Sequence, residues 1–171
     1  MCSSDLIADP DPVMFFEPTR LYRAQKEEVN DNGHGLPLDT CYVLREGKDV
    51  TLVSWGPAMR ETLAAAQTLA DEGISAEVID VATISPLDLE TILHSVDKTG
   101  RLVIIHEAPR NLGPGAEIAA GVAERGLLSL QAPIERVTAP DTVVPLPRLE
   151  KAYMPTERQI LEAARRAVSF S

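Results

Sequence analysis

The chain has 171 residues, of which 44% are hydrophobic and 25% are charged, as in a globular domain with a proper core. Its net charge of −10 argues against a nucleic-acid partner and against an anionic membrane surface, because both need clustered Lys and Arg. No apolar run approaches the roughly 20 residues of a membrane span. The N-terminus lacks a signal-peptide pattern, and Cys2 and Cys41 are isolated, so we expect a cytoplasmic protein.

The N-terminal region contains one short strand pattern followed by a linker. Residues 9–12 form a proline-rich turn signal, and the apolar run Val13–Phe16 predicts a strand. A lone strand must pair either with a sheet from outside this chain or with the edge of this one. Residues 23–41 predict a long linker, which places a domain boundary there.

Strand and helix patterns alternate from Tyr42 onward, which predicts an α/β fold. We expect a three-layer αβα sandwich with a mostly parallel sheet and one antiparallel edge strand, joined to the next strand by a hairpin at residues 46–49. The predicted strands are Tyr42–Arg45, Val50–Trp55, Ala76–Val81, Leu102–Ile105 and Glu135–Thr138. The predicted helices are Pro57–Glu72, Ser85–Val96, Ala116–Arg125 and one that begins with a Thr156–Gln159 capping box. The first of these helices has a predicted buried stripe of Met59, Leu63, Ala66 and Ala70.

The stretch Lys98–Pro109 is the centre of the predicted fold. Its apolar run Leu102–Ile105 predicts a strand buried on both faces, and His106 and Glu107 follow at the end where parallel sheets carry their sites. Neighbouring strand residues point to opposite faces, so we expect a satisfied polar pair at an interface rather than an acid–base pair.

Other chemical motifs are weak. Gly113-Pro-Gly115 suggests a dinucleotide-binding turn, but Ile118 occupies the third glycine position, which favours a glycine-rich helix entrance. Ser54-Trp-Gly56 lacks the first glycine of a nucleophile elbow, and His34 and His94 have no partners at metal-ligand spacing. Asp9 and Asp11 are consistent either with ligands for a hard cation or with a solvated turn. Pattern alone therefore predicts no catalytic and no cofactor-binding residue.

A series of short motifs, in a fixed order from about Ile7 to Phe170, carries a family resemblance. The motifs are Phe15-Phe-Glu-Pro18, Leu21-Tyr-Arg23, Glu46-Gly-Lys-Asp-Val-Thr51, Glu77-Val-Ile-Asp80, Thr83-Ile-Ser-Pro-Leu-Asp88, Lys98-Thr-Gly-Arg101, His106-Glu-Ala-Pro109, Ala132-Pro-Ile-Glu-Arg-Val137 and Tyr153-Met-Pro155. Together they resemble the C-terminal half of the beta subunit of the thiamine-dependent first component of 2-oxo acid dehydrogenase complexes. The pyruvate and the branched-chain members are both candidates.

The resemblance implies three regions. Residues 42–171 would form a transketolase C-terminal-like domain, residues 1–22 would hold the last strand of a pyrimidine-binding domain, and residues 23–41 would link them. The whole enzyme would be an oxidoreductase that uses thiamine diphosphate and magnesium to decarboxylate a 2-oxo acid oxidatively and to acylate lipoyl groups. The residues that activate the cofactor belong to the part that has no counterpart here, so this chain alone is expected to be inactive.

The resemblance also implies partners and an ion. The partners are an alpha subunit and a second beta subunit in an α2β2 assembly, together with the lipoyl acyltransferase component. A potassium ion would be held by the carbonyls of Leu6 and Ile7 and by Asp9 and Asp11. Two alternatives remain: a stand-alone interaction or assembly module with no enzymatic role, and the C-terminal domain of another thiamine-dependent, transketolase-type enzyme.

Overall fold

The computed structural model describes residues 10–14, 16–22, 28 and 36–170. Its sheet has five strands in the order β1-β3-β2-β4-β5, and within it only β1 pairs in the antiparallel sense. The strands are β1 (Tyr42–Arg45), β2 (Val50–Ser54), β3 (Ala76–Asp80), β4 (Leu102–Pro109) and β5 (Glu135–Ala139), and the α-helices are α1 (Met59–Asp71), α2 (Leu89–Thr99), α3 (Pro114–Arg125), α4 (Glu150–Tyr153) and α5 (Glu157–Ser169). The predicted fold class and its antiparallel edge strand are confirmed.

The sheet separates two apolar cores. Helices α1 and α5 cover one face, where Leu52, Val78 and Ile105 are buried, and helices α2 and α3 cover the other, where Val53 and Ile104 are buried. Residues 102–105 of β4 are fully inaccessible, because this central strand contributes side chains to both cores. The prediction of a strand buried on both faces is therefore confirmed.

The predicted hairpin between β1 and β2 is wrong, because β3 lies between these two strands. The connection instead crosses the start of β3, where the amides of Lys48 and Asp49 donate to the carbonyl of Ser75 over 3.1 and 2.9 Å. A Cβ atom on Gly47 would lie 2.7 Å from the carbonyl oxygen of Ala76. The glycine at position 47 therefore permits a close crossing of two backbones, not a hairpin turn.

Helix boundaries differ from the predicted ones where a local cap decides them. Helix α2 begins at Leu89 rather than Ser85, because the Asp88 carboxylate accepts a hydrogen bond from the Thr91 amide at 3.1 Å and caps the helix there. The capping box of Thr156 and Gln159 at the start of α5 is confirmed.

The buried stripe of α1 also differs from the predicted one. Leu63 is 40% exposed, whereas Thr62 is buried. The core tolerates this hydroxyl because it donates a hydrogen bond to the carbonyl of Ala58 at 2.9 Å. The buried residues of α1 are Met59, Thr62, Ala65, Ala66 and Leu69.

The predicted strand at Val13–Phe16 does not form at the residues that can be judged. Val13, Met14 and Phe16 have no regular structure and are exposed, while Phe15 lies outside the described residues. A strand needs a partner for its backbone hydrogen bonds, and none pairs here. The three-region division of the chain stays a prediction. Within the described part, no helix is both long enough and apolar enough to cross a membrane.

Candidate functional site

The candidate site lies at the carboxyl edge, which we define as the edge of the sheet where the parallel strands β2, β3, β4 and β5 end. Ser54, the last residue of β2, is the register partner of Ile105 on β4. The next residues on the two strands, Trp55 and His106, stack with their ring centroids 5.0 Å apart and their planes 10° apart. The edge predicted from parallel-sheet topology is therefore where aromatic and polar side chains converge.

His106 is almost completely buried, and neither of its ring nitrogens has a hydrogen-bond partner among the described residues. Burial lowers the pKa of the imidazole, and the positive charge of Arg136 lowers it further, so the ring is neutral at pH 7. Within the described residues the ring lies against a tryptophan and two glycines that offer its nitrogens no partner, so the satisfied polar pair at an interface stays a prediction.

The glycines at the start of α3 make room for this imidazole. A Cβ atom on Gly115 would lie 2.6 Å from Cδ2 of His106, and one on Gly113 would lie 2.8 Å from Cε1. The glycine-rich helix entrance is therefore confirmed. The space that a dinucleotide-binding turn would offer to a pyrophosphate is filled by the chain's own histidine.

Glu107 points to the opposite face of the sheet, as predicted. Its Oε1 lies 3.1 Å from Nη2 of Arg20, which also donates to Oε2 of Glu61 at 3.0 Å and to the carbonyl of Pro57 at 2.8 Å. Burial raises the pKa of Glu107, and the Arg20 charge opposes that rise. Arg20 thus ties the 3₁₀ turn Thr19–Leu21 to α1 and to the end of β4.

Two clefts flank the Arg20–Glu107 pair. One has a volume of about 660 Å³ and is lined by Arg20, Glu61 and α4, and the other has a volume of about 490 Å³ and includes Glu107 and Tyr153. Buried polar atoms that lack a hydrogen-bond partner among the described residues collect at this edge: Nε of Arg20, Oγ of Ser54, both ring nitrogens of His106 and the hydroxyl of Tyr153. Buried polar groups are normally hydrogen-bonded, so the edge is suited to receive polar groups from outside these residues.

The predicted cation ligands do not form a visible site. Leu6, Ile7 and Asp9 lie outside the described residues, and Asp11 is exposed in a bend. Within the described part of the chain, no group of three His, Cys, Asp or Glu side chains is arranged to hold a metal ion. The potassium site therefore stays a prediction.

Cys41 is not a candidate nucleophile. Its amide donates to the Asp88 carboxylate at 3.0 Å and its thiol contacts the Asp88 carbonyl at 3.4 Å. Burial, with a smaller contribution from the charges of Asp88 and Asp80, raises the pKa of the thiol to about 12. Only the thiolate reacts readily, so this cysteine is inert at neutral pH.

Sequence reasoning missed Arg20, Trp55 and Tyr153. The position of Trp55 directly after β2 was a usable signal, because a residue there must lie next to the residue that follows the neighbouring strand. For Arg20 there was no local signal, since its partners Glu61 and Glu107 lie far along the chain.

Comparisons with known proteins agree with this architecture. The family described as transketolase, C-terminal domain, matches residues 39–160. Over 164 residues, or 96% of the chain, the sequence is 43% identical to the pyruvate dehydrogenase E1 component subunit beta of Bacillus subtilis, covering 50% of that protein. It is 48% identical to 2-oxoisovalerate dehydrogenase subunit beta 2, mitochondrial, of Arabidopsis thaliana, covering 46% of it.

Among solved structures, a split gene transketolase described as an inactive beta4 tetramer superimposes with a TM-score of 0.71 at 30% identity, covering 84% of this chain and 46% of that one. The resemblance found in the motif series is confirmed by these similarities. The chain spans about half the length of the curated relatives it matches.

Proposed function

The chain belongs to the transketolase C-terminal domain family, and from this premise we propose that it is part of the beta subunit of a pyruvate or branched-chain 2-oxo acid dehydrogenase. The observation that carries the proposal is the identity of 43% and 48% to two such beta subunits over 96% of the chain. The whole enzyme would be an oxidoreductase that decarboxylates a 2-oxo acid and passes the acyl group to lipoyl. A cytoplasmic location belongs to the same proposal.

The described residues do not fit the cofactor that this reaction needs. Thiamine diphosphate supplies the electron sink for decarboxylation, and its diphosphate is normally held with magnesium. The glycine-rich entrance of α3 is filled by His106, and the described part of the chain offers no carboxylate cluster for a metal ion. We therefore assign no catalytic step to these residues and expect the chain alone to be inactive.

The part played by this chain would be assembly. The unpartnered polar atoms at the carboxyl edge support this role, as do the exposed apolar residues of the N-terminal segment, Val13, Met14 and Phe16. A partner that covers this edge would supply hydrogen bonds to polar groups that are already desolvated and would remove exposed apolar groups from water, and both effects favour binding. Arg20 would hold the N-terminal segment at the edge where the remainder of the beta subunit and the alpha subunit approach.

Further partners follow from the family resemblance. We include a second beta subunit, in an α2β2 assembly, and the lipoyl acyltransferase component, which would dock on this domain. The similarities do not select the substrate, because a pyruvate enzyme and a 2-oxoisovalerate enzyme both stand among the relatives.

The proposal is tested by adding a tag at the 3′ end of the chromosomal reading frame that contains this sequence and purifying the protein from its source under mild conditions. The assay measures release of carbon dioxide from 1-labelled pyruvate and from 1-labelled 3-methyl-2-oxobutanoate, with an artificial electron acceptor. We expect an alpha subunit to copurify and one of the two substrates to be decarboxylated only when thiamine diphosphate and magnesium are present.

Other outcomes decide between the alternatives. A chain that purifies without a subunit of this type and decarboxylates neither substrate would favour a stand-alone interaction module. Transfer of a two-carbon unit between sugar phosphates, without decarboxylation of either 2-oxo acid, would favour another transketolase-type enzyme. A rise in the melting temperature of the chain alone with thiamine diphosphate and magnesium would contradict the assignment of cofactor binding to other parts of the enzyme.

A further inference from the structure

Two arginines are held side by side near the end of β4 and on β5. Nη1 of Arg110 donates to the carbonyl of Arg136 at 3.0 Å, and Nη1 of Arg136 donates to the carbonyl of Arg110 at 3.2 Å. These crossed hydrogen bonds hold each side chain against the backbone of the other arginine. Two positive charges so placed repel each other unless an anion lies between them.

The carboxylates nearby are already engaged by other groups. Glu135 accepts hydrogen bonds from Nε and Nη2 of Arg166 at 3.1 and 2.8 Å. Both oxygens of Asp141 accept hydrogen bonds from Asn111, each at 2.8 Å. Within the described residues, no carboxylate forms an ion pair with Arg110 or Arg136. The pair therefore carries two unmatched positive charges in a chain whose net charge is −10.

The two arginines line a small cleft of about 210 Å³ together with Val137, Thr138, Gln159, Glu162 and Arg166, whose guanidinium is paired with Glu135. The Gln159 carbonyl oxygen accepts from the amide and the hydroxyl of Thr156, each at 2.9 Å, which leaves its amide N–H groups as free donors. Glu162 places a carboxylate on the cleft, but its Oε1 accepts a hydrogen bond from Arg158 at 2.8 Å. The cleft is thus rich in hydrogen-bond donors and positive charge.

We propose that Arg110 and Arg136 form a binding site for a phosphate group. A guanidinium has five N–H donors, and each of these two spends one on a carbonyl, so together they offer more donors than a single carboxylate can accept. A phosphate group has three exposed oxygens and a charge of about −1.5 to −2 at pH 7, which matches two guanidinium charges. The site goes beyond the proposed function, since it uses none of the unpartnered polar groups or exposed apolar residues that support the assembly role.

The test is isothermal titration calorimetry, in which inorganic phosphate is titrated into the full 171-residue chain and any subunits that copurify with it. The buffers contain chloride and have matched ionic strength. We expect saturable binding with a Kd of about 1 mM or below. Each of Arg110→Gln and Arg136→Gln should weaken it at least about tenfold, because a hydrogen bond to a charged group is lost. Arg165→Gln is the control. It also removes one positive charge, here from α5, but the native Arg165 pairs with Glu72 outside the cleft.

A variant of the opposite sign separates a specific site from general charge. Glu162→Gln removes the carboxylate that lines the cleft, so phosphate should bind a few times more tightly. Circular dichroism of each variant establishes that it is folded. Absence of phosphate binding at 20 mM, or equal weakening by Arg110→Gln and Arg165→Gln, would overturn the proposal.

Two probes distinguish the source of the phosphate. Tighter binding of glycerol 3-phosphate than of inorganic phosphate would indicate a small phosphomonoester, and tighter binding of a phosphoserine peptide would indicate a phosphorylated protein. Either result, with the same loss on Arg136→Gln, supports the site. Loss of decarboxylation in the holoenzyme would bear on the proposed function and leaves this measurement unaffected.

Discussion

Substituting Gly115 by alanine tests the packing of His106 against the start of α3. The added Cβ would lie 2.6 Å from Cδ2 of His106 and 3.1 Å from Cγ2 of Ile104, whereas ordinary van der Waals contacts begin at 3.4 Å. The imidazole cannot move away freely, because it is stacked on Trp55. Overpacking of this kind costs about 1–3 kcal/mol, and alanine returns up to about 1 kcal/mol as the better helix former.

We therefore expect Gly115→Ala to lower the free energy of unfolding by about 1–2 kcal/mol. The same substitution in a His106→Ala background no longer meets the ring and keeps only the 3.1 Å contact with Cγ2 of Ile104, so it should be neutral or stabilising by up to about 1 kcal/mol. Urea unfolding of the four proteins gives both values from one double-mutant cycle. The predicted coupling between the two positions is about 1–3 kcal/mol.

Gly126→Ala is the control for this cycle. A Cβ atom there would lie 2.9 Å from Cδ2 of Leu93 and 3.2 Å from the carbonyl oxygen of Val122, and it would meet nothing from His106. Its effect should be the same with or without the imidazole. An equal cost of Gly115→Ala in the two backgrounds would refute the conclusion that His106 is what requires a glycine at position 115.

Three further predictions concern stability. Lys98→Met leaves the buried carboxylate of Glu77 with the Gly47 amide as its remaining partner. Urea unfolding should show a free energy of unfolding lower by about 1–3 kcal/mol, a range that already allows for the partial exposure of Lys98. Lys48→Met, at an exposed position, is the control and should change little. Thr156→Ala removes the cap of α5 and should cost about 1 kcal/mol in the same assay, whereas Thr156→Ser should retain most of it. Because the pKa of His106 is lowered in the folded state, the unfolded chain binds more protons below about pH 6.5. The free energy of unfolding should therefore fall from pH 7.5 to pH 5.5. An equal fall in the His106→Gln variant would speak against this cause.

Much of the fold could be predicted because its signals are local. A continuous apolar run such as Leu102–Ile105 is inaccessible to solvent only when both faces of the strand are covered, and the capping box at Thr156 involves residues three positions apart. Gly47 could not be interpreted correctly, because a hairpin turn and a close backbone crossing both require a glycine. Only the position of β3, supplied by residues much later in the chain, separates the two.

The site was harder to predict than the fold. That His106 and Glu107 face opposite sides follows from strand geometry, but whether their polar atoms find partners depends on distant residues. Arg20 contacts Glu107 only because the 3₁₀ turn at Thr19–Leu21 lies against α1. The pair of Arg110 and Arg136 is also formed by tertiary contact, and in the sequence each residue is one charged residue among many.

The most direct test of the central proposal is the sequence of the genomic DNA that flanks the coding region of this chain. We expect one continuous reading frame that encodes a second α/β domain upstream of Met1, with the cofactor-activating residues of a thiamine-dependent beta subunit. The chain would then be the C-terminal part of that subunit. A genuine start codon at Met1, with no such frame beside it, would contradict the proposal and would leave a separate module whose partners must be sought by binding.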